Sequence, residues 1–469
     1  MTDAPTYATP SRRQAKEMHA LPRQHVLLRS SLLIAVFIAA IACPSEALSS
    51  PENEPASPAD PADDSPLPGR WNLARPGGSP TVTDAQQQEF ERLRSIGYLS
   101  GSVEPPAGEG VTLHDEAAAF DGLNFYTSGH MTGAVLMDMD GNVLHEWRHD
   151  RHKTWPDDKP EAANGDEVSI ITGNPDFWRR AHLFKNGDVL GMCVGLGLVR
   201  LDSESREVWK YSGGCHHDLQ VMEDGTIYVL TREPRIEPRI NRRWPILEDS
   251  ITLIDPSGRE IKSISVLEAF EHSRYRCYLE MLPRKGDVTH TNTLEVLDGT
   301  LASRIPAFRK GNVLISLLKL DLIAVVDTDL EEVVWAMSGL WRRQHEPTVV
   351  EGEHLLIFDN EGKVFGGGSQ ASRVIEFDPA TQEIVWSYEG GDGVEFYSRR
   401  CGTAARLPNG NTLITESDAG RAFEVTPGHE IVWEFLNPER AGENHEYIAT
   451  LFDVVRIPPD FPLDWLRKD

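Results

Sequence analysis

The stretch AVLMDMDGNVLHEW, residues Ala134–Trp147, places two apolar runs on either side of an Asp-Gly turn. Apolar alternation around such a turn predicts a β-hairpin. The unit recurs five more times along the chain, and most copies end in Trp. The copies are LVRLDSESREVWKY (Leu198–Tyr211), ITLIDPSGREIKSI (Ile251–Ile264), IAVVDTDLEEVVW (Ile323–Trp335), VIEFDPATQEIVWSY (Val374–Tyr388) and AFEVTPGHEIVWEF (Ala422–Phe435). Repetition of one hairpin predicts a fold built from similar small sheets.

A second hairpin precedes most copies of this unit, so that a complete repeat has four strands. Its copies are LFKNGDVL (Leu183–Leu190), LQVMEDGTIYVL (Leu219–Leu230), FRKGNVLISL (Phe308–Leu317), VVEGEHLLIF (Val349–Phe358) and ARLPNGNTLIT (Ala405–Thr415). We therefore predict an all-β fold, a six-bladed β-propeller, because closure of six sheets into a ring leaves few open edges. The first unit has no hairpin before it, so other chain segments are expected to complete that blade.

Aromatic residues and one insertion fit this architecture. The tryptophans of the repeated unit are interpreted as packing residues between blades, and they are Trp147, Trp209, Trp335, Trp386 and Trp433. Residues 150–176 interrupt the repeat pattern and are interpreted as a loop on one face. The propeller domain is predicted over residues 119–458, with a C-terminal tail over 459–469.

The first 43 residues predict an export signal. Basic residues precede the apolar run Leu32–Ala42, which is much shorter than the roughly 20 residues of a membrane-spanning helix. Ala40-Ile41-Ala42 fits a cleavage site, and Cys43 directly after it is a candidate for lipidation. We predict an exported protein, either periplasmic or tethered to a membrane as a lipoprotein, with an uncleaved anchor as the alternative.

Two segments separate this signal from the propeller. Residues 44–80 are rich in Pro, Ser, Ala and acidic residues, and a segment so poor in large apolar side chains predicts a disordered linker. A short helical segment is predicted over 81–118, because Thr83 and Gln86 form a capping box and Gly97 can end the helix.

Charge and motif content limit the partners. The chain has 46 Lys and Arg against 73 Asp and Glu, a net charge of −27 that would repel nucleic acid. No convincing glycine-rich phosphate loop or metal motif occurs, so neither a cofactor nor a metal site is predicted. The cysteines after Cys43 leave disulfides and free thiols open. Small molecules remain as partners, together with membrane attachment through the N-terminus; a homodimer is also left open.

Three histidines stand just before predicted inner strands. They are His217 in the sequence HHD, His290 in HTN and His345 in HEP. Counted back from the hairpin turn, His217 and His345 have equivalent offsets, His290 falls close by, and Gly402 takes that place in the last repeat. Because innermost strands of a propeller start at the mouth of its axial channel, these side chains are expected to share one pocket. A purely structural role is the alternative for each histidine taken singly.

Five segments resemble the bacterial arylsulfate sulfotransferase family. They are GLNFYTSG (Gly122–Gly129), GGCHHDLQV (Gly213–Val221), VTHTNTLEVL (Val288–Leu297), RRQHEP (Arg342–Pro347) and RLPNGNTLITES (Arg406–Ser417). The resemblance extends from about Gly122 to Phe452. It implies a six-bladed propeller that transfers sulfuryl groups from aryl sulfates to phenols without a nucleotide donor.

The resemblance also implies roles for individual residues. His345 matches the histidine that becomes transiently sulfated, and His217 and His290 match supporting histidines. Further candidates for substrate binding are His216, Asn292 and Lys319. Sulfuryl transfer resembles phosphoryl transfer, with charge on the non-bridging oxygens, so a neutral imidazole nucleophile, fixed donors and a proton shuttle suit it.

The family's sulfate-binding arginine has no counterpart in this chain. The matching strand reads ISLLK, with Leu318 in the position of the arginine and Lys319 expected to point to the opposite face. Leu318 therefore favours an alternative, a propeller of impaired activity that acts as a binding or scaffold module. A quinone-dependent oxidoreductase or a sulfate-ester hydrolase is a further alternative, although quinoprotein blades do not explain the histidines.

Overall fold

The computed structural model describes residues 108–156, 176–362, 371–391, 396–441, 445 and 447–466. Their strands form six antiparallel sheets arranged in a ring, which confirms the predicted six-bladed β-propeller. The predicted export signal, the lipidation candidate Cys43, the linker and the helix between Thr83 and Gly97 lie outside the described residues. Most of the predicted inserted loop also lies outside them.

Each blade has four strands, which follow one another from the axis outward. Blade 1 consists of Leu451–Ile457, Leu123–Ser128, Gly133–Met137 and Val143–Arg148; blade 2 of Trp178–Leu183, Val189–Cys193, Gly197–Leu201 and Glu207–Ser212. Blade 3 consists of Cys215–Val221, Ile227–Arg235, Ile246–Ile254 and Glu260–Ser265; blade 4 of Thr291–Val296, Val313–Leu317, Leu322–Asp327 and Glu332–Ser338. Blade 5 consists of His345–Val350, His354–Asp359, Arg373–Phe377 and Ile384–Tyr388; blade 6 of Thr403–Arg406, Thr412–Glu416, Arg421–Val425 and Ile431–Leu436.

Short elements decorate this ring. Strand Gly286–Asp287 pairs in parallel with the third strand of blade 3, and Arg440–Ala441 pairs with Tyr447–Ile448. The described helices are Arg151–Thr154 and Val266–Glu271, and the 3-10 turns are Arg276–Met281, Thr300–Ser303, Pro306–Phe308, Leu318–Leu320 and Asp464–Leu466.

The two ends of the described chain close the ring. The C-terminal strand Leu451–Ile457 pairs with Leu123–Ser128 and so supplies the inner strand of blade 1, as expected for a blade without an upstream hairpin. Strand Gly110–His114 adds to the outer edge of blade 6. The propeller therefore starts upstream of the predicted boundary at residue 119, and the described end of the predicted helical segment is a strand, which suits its Val and Thr.

Packing between blades uses the recurrent tryptophans of the outer strands, as predicted. The Trp147 indole N–H donates to the carbonyl of Gly187, and that of Trp433 donates to Met139, at 3.0 and 2.9 Å. Both acceptors lie in turns of neighbouring blades. Trp147 and Trp433 are fully buried, so the indoles fill the space between sheets while each N–H keeps a partner.

The C-terminal tail docks on the propeller. The ring of Trp465 lies 5.5 Å from that of Trp147, and it also covers Gly187, where an added Cβ would come within 2.4 Å of the indole. The cysteines at positions 193, 215, 277 and 401 are free thiols, which decides between disulfides and thiols for these four. Among the described residues, no helix is long and apolar enough to cross a membrane.

Candidate active site

Equivalent residues of the six inner strands form a ring around the axis. In five blades the inner strand ends in a hairpin closed by the pairs Phe184–Asp188, Met222–Thr226, Leu297–Asn312, Val350–His354 and Leu407–Asn411. Five positions before these closing residues stand Arg179, His217, Asn292, His345 and Gly402. In blade 1, the pairing of Arg456 with Asn124 corresponds to that of Val221 with Ile227 in blade 3. Because His217 stands four residues before Val221, the equivalent residue of blade 1 is Phe452, four residues before Arg456. We call these six residues the histidine ring.

The histidine ring agrees with part of the sequence interpretation. His217 and His345 are equivalent, and Gly402 stands at their position in blade 6, as inferred from the hairpin offsets. Gly402 has φ +97° and an added Cβ would come within 2.6 Å of the Phe358 ring, so only glycine fits there. In blade 4 the equivalent residue is Asn292, and His290 precedes it.

The next residue of each inner strand belongs to a second ring, which we call the carboxylate ring. Its members are Arg180, Asp218, Thr293, Glu346, Thr403 and Asp453. Hydrogen bonds join neighbouring members: the Glu346 N–H donates to Thr293 Oγ1 at 2.9 Å, and the Thr403 hydroxyl lies 3.3 Å from Asp453 Oδ1. The two rings are therefore consecutive layers of one channel.

Consecutive strand residues normally face opposite sides of a sheet, and bulges remove that restriction in this channel. The inner strand shifts register at the rings in five blades, between Trp178 and Ala181, Cys215 and Leu219, Thr291 and Thr293, His345 and Thr348, and Leu451 and Asp453. His217 and Glu346 also have left-handed backbones, with φ of 58° and 53°. The bulges allow side chains of both rings to turn toward the axis.

Arg180 is the centre of the carboxylate ring. Its guanidinium, with a side chain 6 % exposed, pairs with Asp218 at 3.2 Å, with Asp453 at 2.6 Å and with Glu346. Although burial opposes it, the three carboxylates raise the pKa of Arg180 above its usual range. Burial raises the pKa of Glu346 to about 7 despite the nearby guanidinium. One arginine of blade 2 thus connects blades 1, 3 and 5 across the axis.

A cavity of 530 Å³ lies on the far side of the carboxylate ring. Glu346, Thr403 and Asp453 form part of its wall, and the rest comes from later residues of the inner strands of blades 5, 6 and 1 together with the turns that follow in blades 5 and 6. No member of the histidine ring lines it among the described residues. The carboxylate ring therefore separates this cavity from the histidines.

His345 is held in one tautomer by Asn360. The Asn360 side-chain N–H group donates to the carbonyls of Ser398 and Cys401 at 2.8 and 2.7 Å, so its Oδ1 faces His345 Nδ1 at 2.8 Å. An amide oxygen only accepts, so Nδ1 carries the proton and Nε2 keeps its lone pair. Burial lowers the pKa of His345 to about 3, although the Asn360 bond opposes this. His345 is thus a neutral imidazole.

His217 and His216 form a pair in blade 3. Their Nδ1 atoms are 2.7 Å apart, and His216 Nε2 lies 3.4 Å from Asp249 Oδ1. Burial lowers the pKa of both imidazoles well below the usual value, and neighbouring positive charges add to the effect. His216 is fully buried, so it lies behind His217 and supports it rather than facing the channel.

His290 completes the cluster from the edge of blade 4. Its ring centroid lies 4.7 Å from that of His217, and its Nδ1 contacts the Asp287 carboxylate. Burial favours the neutral form of Asp287, but the hydrogen bond and charge of His290 outweigh it and lower the Asp287 pKa to about 2. The His290 side chain is 25 % exposed, whereas His345 is buried. Asn292 instead donates to the Gln344 carbonyl at 2.8 Å, between blades 4 and 5.

Leu318 and Lys319 lie outside the strand in which they were predicted. The strand ends at Leu317, and a 3-10 turn follows because the N–H groups of Leu318 and Lys319 donate to His290 and Thr289 carbonyls at 3.1 and 3.3 Å. Leu318 is buried beside the His290 backbone, whereas Lys319 is exposed and its side chain makes no hydrogen bond within the described residues. Strand alternation therefore does not decide where Lys319 points.

Arg179 is the member of the histidine ring that sequence reasoning missed. It is 5 % exposed, its Nη1 donates to the Phe452 carbonyl at 3.4 Å, and its guanidinium carbon lies 5.3 Å from the Phe452 ring centre. Phe177 stacks on Phe452 at 4.3 Å. The offset of Arg179 from the LFKNGDVL hairpin equals the offsets of His217 and His345, so the signal was present in the sequence.

Comparison with known proteins bears on the same residues. The family model described as arylsulfotransferase (ASST) matches residues 181–438, more than half of the chain. The matched segment contains all of the predicted histidines and begins just after Arg179 and Arg180. No curated protein matches the chain in sequence.

The chain has only low similarity in sequence and in structure to solved proteins. A protein of unknown function from Bacteroides caccae shares 12 % identity, covers 68 % of this chain and 94 % of its own, and gives a TM-score of 0.41. A streptogramin B lyase shares 11 % identity over 75 % of this chain and 95 % of its own, with a TM-score of 0.39. The hydrazine synthase of Kuenenia stuttgartiensis shares 14 % identity over 58 % and 68 %, with a TM-score of 0.35. Nothing about function follows from similarities of this size.

Proposed function

The chain belongs to the arylsulfotransferase family, and we propose that it transfers a sulfuryl group from an aryl sulfate to a phenol through a sulfated His345. Family membership supports aryl sulfotransferase function in general. The observation that carries the finer proposal is the hydrogen bond between His345 Nδ1 and Asn360 Oδ1, because it leaves the lone pair on Nε2. A buried, neutral imidazole of fixed tautomer is suited to be a nucleophile.

In the first half-reaction, His345 Nε2 attacks the sulfur atom of the donor. The N–S bond forms while the S–O bond to the aryl oxygen breaks, and the aryl oxygen leaves with the electron pair of that bond. The proton on His345 Nδ1 stays in its hydrogen bond to Asn360. The sulfated imidazole then carries a ring charge and a sulfonate charge of opposite sign, so the step creates no net charge on the residue.

In the second half-reaction, the oxygen of an acceptor phenol attacks the same sulfur and the N–S bond breaks. His345 recovers its lone pair and the acceptor leaves as its sulfate ester. Both half-reactions pass through a loose transition state whose charge lies on the non-bridging oxygens. Fixed hydrogen-bond donors around those oxygens therefore contribute more to the rate than a strong nucleophile does.

Proton exchange with the phenols is assigned to His290. It is more accessible than His345, and its Nδ1 contact with Asp287 leaves Nε2 for the phenolic oxygen. Protonated His290 donates to the leaving phenolate, and neutral His290 then accepts the proton of the incoming phenol, so the cycle closes. His217, whose ring lies against His290 and which His216 supports, supplies a further contact to the substrate.

A second candidate function is a binding propeller without turnover. Leu318 is the observation that favours it, because it stands where the family resemblance requires an arginine. In this interpretation the same pocket binds an aryl sulfate or a related anion but does not sulfate His345.

One assay separates these proposals. The protein is incubated with a chromogenic aryl sulfate, with and without added phenol, and phenol release is recorded. Transfer requires the acceptor after the first turnover, sulfate-ester hydrolysis does not, and a binding module gives neither. His345→Ala should lower transfer by at least about 10⁴-fold, as loss of a catalytic nucleophile does. His354→Ala, a histidine of the same blade whose ring pairs with Glu376, is the matched control and should transfer as the wild type does.

A further inference from the structure

Two consecutive arginines of blade 2 have different electrostatic environments. Arg180 pairs with three carboxylates of the carboxylate ring. Arg179 is equally buried, yet within the described residues it pairs with no carboxylate, and its guanidinium donates to the Phe452 carbonyl and lies over the Phe452 ring. A buried guanidinium without a counter-ion is unfavourable for folding, so its retention calls for a ligand that supplies the negative charge.

The position of Arg179 says which ligand fits. It occupies in blade 2 the ring position that His217 occupies in blade 3 and His345 in blade 5. The contacts of Arg180 with Asp218 and Glu346 show that the next residues of these strands meet across the axis. The charge of Arg179 also adds to the burial that lowers the pKa of both His217 and His345. An anion held by Arg179 would therefore lie between these two imidazoles.

The neighbours of Arg179 favour an anion attached to an aromatic ring. Phe177 and Phe452 stack beside the guanidinium, and Phe177 is partly exposed. An aryl group can pack against these rings while its sulfate reaches the guanidinium. Guanidinium geometry matches two oxygens of a tetrahedral or planar oxyanion at once.

We propose that Arg179 binds the non-bridging oxygens of the aryl sulfate, and so supplies from blade 2 the cation that Leu318 does not supply from blade 4. The inference rests on the proposed function, because it names the residue that binds the group transferred to His345. Arg179 lies just outside the segment matched by the family, residues 181–438. The replacement of the arginine by Leu318 then moves the cation to another blade rather than removing it.

Arg232 is the rival for this role. Thr231 pairs with Cys215 as Leu317 pairs with Thr291, so Arg232 occupies in blade 3 the position of Leu318 in blade 4. However, the charge of Arg232 acts on the buried carboxylates of Asp249 and Asp287, lowering the pKa of each against the effect of burial. The charge of Arg179 acts in the same way on Glu346, but that carboxylate already pairs with Arg180.

The test measures anion binding rather than turnover. Benzenesulfonate is titrated into the protein by calorimetry at constant ionic strength. Its sulfur is bonded directly to the ring carbon, so it has no ester S–O bond that transfer could break. We expect Arg179→Met to weaken binding about 10- to 100-fold, the range for a lost charge-assisted hydrogen bond. Arg179→Lys should bind benzenesulfonate with an affinity between those of the wild type and Arg179→Met, since an ammonium keeps the charge but lacks the two parallel N–H donors of the guanidinium. Arg200→Met is the matched control, because Arg200 is in the same blade and pairs with Asp188; its binding should equal the wild type.

The outcomes separate this inference from the proposed reaction. Binding that depends on Arg179 in a protein that consumes no aryl sulfate supports the anion site and counts against the transfer. Wild-type affinity in Arg179→Met, no binding by the wild type, or a loss confined to Arg232→Met would each overturn the inference. If Arg179→Met does not fold, Arg179→Gln and Arg179→Lys decide by the same titration.

Discussion

The histidine ring and the carboxylate ring lie one residue apart on the same inner strands, yet they balance their charges in different ways. In the carboxylate ring, Arg180 pairs with three carboxylates and connects four blades, and burial raises the pKa of one of them, Glu346, to about 7. In the histidine ring, Arg179 forms no ion pair with a carboxylate of the described residues, and His217 and His345 are neutral because burial lowers their pKa. In the carboxylate ring the arginine already has carboxylate partners. In the histidine ring the cation of Arg179 and the lone pairs of the imidazoles remain available to a ligand.

The difference shows that consecutive residues of a repeated strand can have different roles, one connecting the blades and the other lining the candidate active site. Bulges at the two layers turn consecutive residues toward the axis, so that a single strand contributes to both. The same burial acts differently in each layer. In the carboxylate ring it raises the pKa of Glu346 and Asp218 despite their pairing with Arg180, and in the histidine ring it keeps the nucleophile unprotonated.

The largest effect is expected at Arg180. Arg180→Met leaves the buried Asp218 and the half-buried Glu346 and Asp453 without their cation, and breaking such a cluster costs about 3–5 kcal/mol of the free energy of unfolding. Arg179→Met should cost less than about 1 kcal/mol, since it removes an uncompensated buried charge. Urea denaturation of both variants measures the difference. Equal losses would mean that the two rings do not differ in the way described.

The next effect concerns the tautomer of His345. Asn360→Ala removes the acceptor at Nδ1 and should lower kcat/KM for transfer by about 10- to 100-fold, in line with an unsatisfied buried donor. Asn360→Asp keeps an acceptor for Nδ1 but loses the donation to the Ser398 and Cys401 carbonyls, so it should recover only part of the loss. A wild-type kcat/KM in Asn360→Ala would show that Asn360 does not position the nucleophile.

A third test uses pH. An imidazole of ordinary pKa, about 6.5, is about tenfold less available as a nucleophile at pH 5.5 than above pH 7. With its pKa lowered to about 3, His345 stays neutral at pH 5.5, so the rate should fall less than about twofold. The measurement is the first turnover with donor alone, in which no acceptor phenol ionises. A tenfold fall would contradict the buried, neutral His345.

The smallest effect is expected from restoring the arginine of the family. Leu318→Arg adds a second cation beside His290 and should raise transfer less than about tenfold, because Arg179 already meets most of that need. In an Arg179→Met background, Leu318→Arg should raise the transfer rate by a larger factor than it does in the wild type. If Leu318→Arg raised transfer in the wild-type background by two orders of magnitude, Arg179 would not be serving the sulfate.

Much of this fold could be predicted from the repeated hairpins, because apolar alternation and turn residues are local signals. The inner strand of blade 1 could only be expected in general terms, since its partner, Leu451–Ile457, lies at the other end of the chain. Residues Gly110–His114, within the segment predicted to be helical, form a strand because blade 6 offers an open edge there.

The site was predicted in part, and the reason lies in the bulges. His217 and His345 share an offset that can be counted in the sequence. Whether Arg179 and Arg180 both reach the axis depends on the register shift between Trp178 and Ala181, which pairing with the second strand determines. The turn at Leu318 likewise depends on carbonyls of another segment, so strand alternation misplaced Lys319.

The central claim is that His345 carries the sulfuryl group. The most direct measurement is to mix the protein with donor and no acceptor, stop the reaction within one turnover in alkali, and digest it for mass spectrometry. We predict one added SO₃ group on the histidine of the peptide containing His345, its loss when a phenol is added before the reaction is stopped, and its absence in His345→Ala. A sulfated His217 or His290 peptide, or transfer at full rate with no modified histidine, would show that His345 is not the nucleophile.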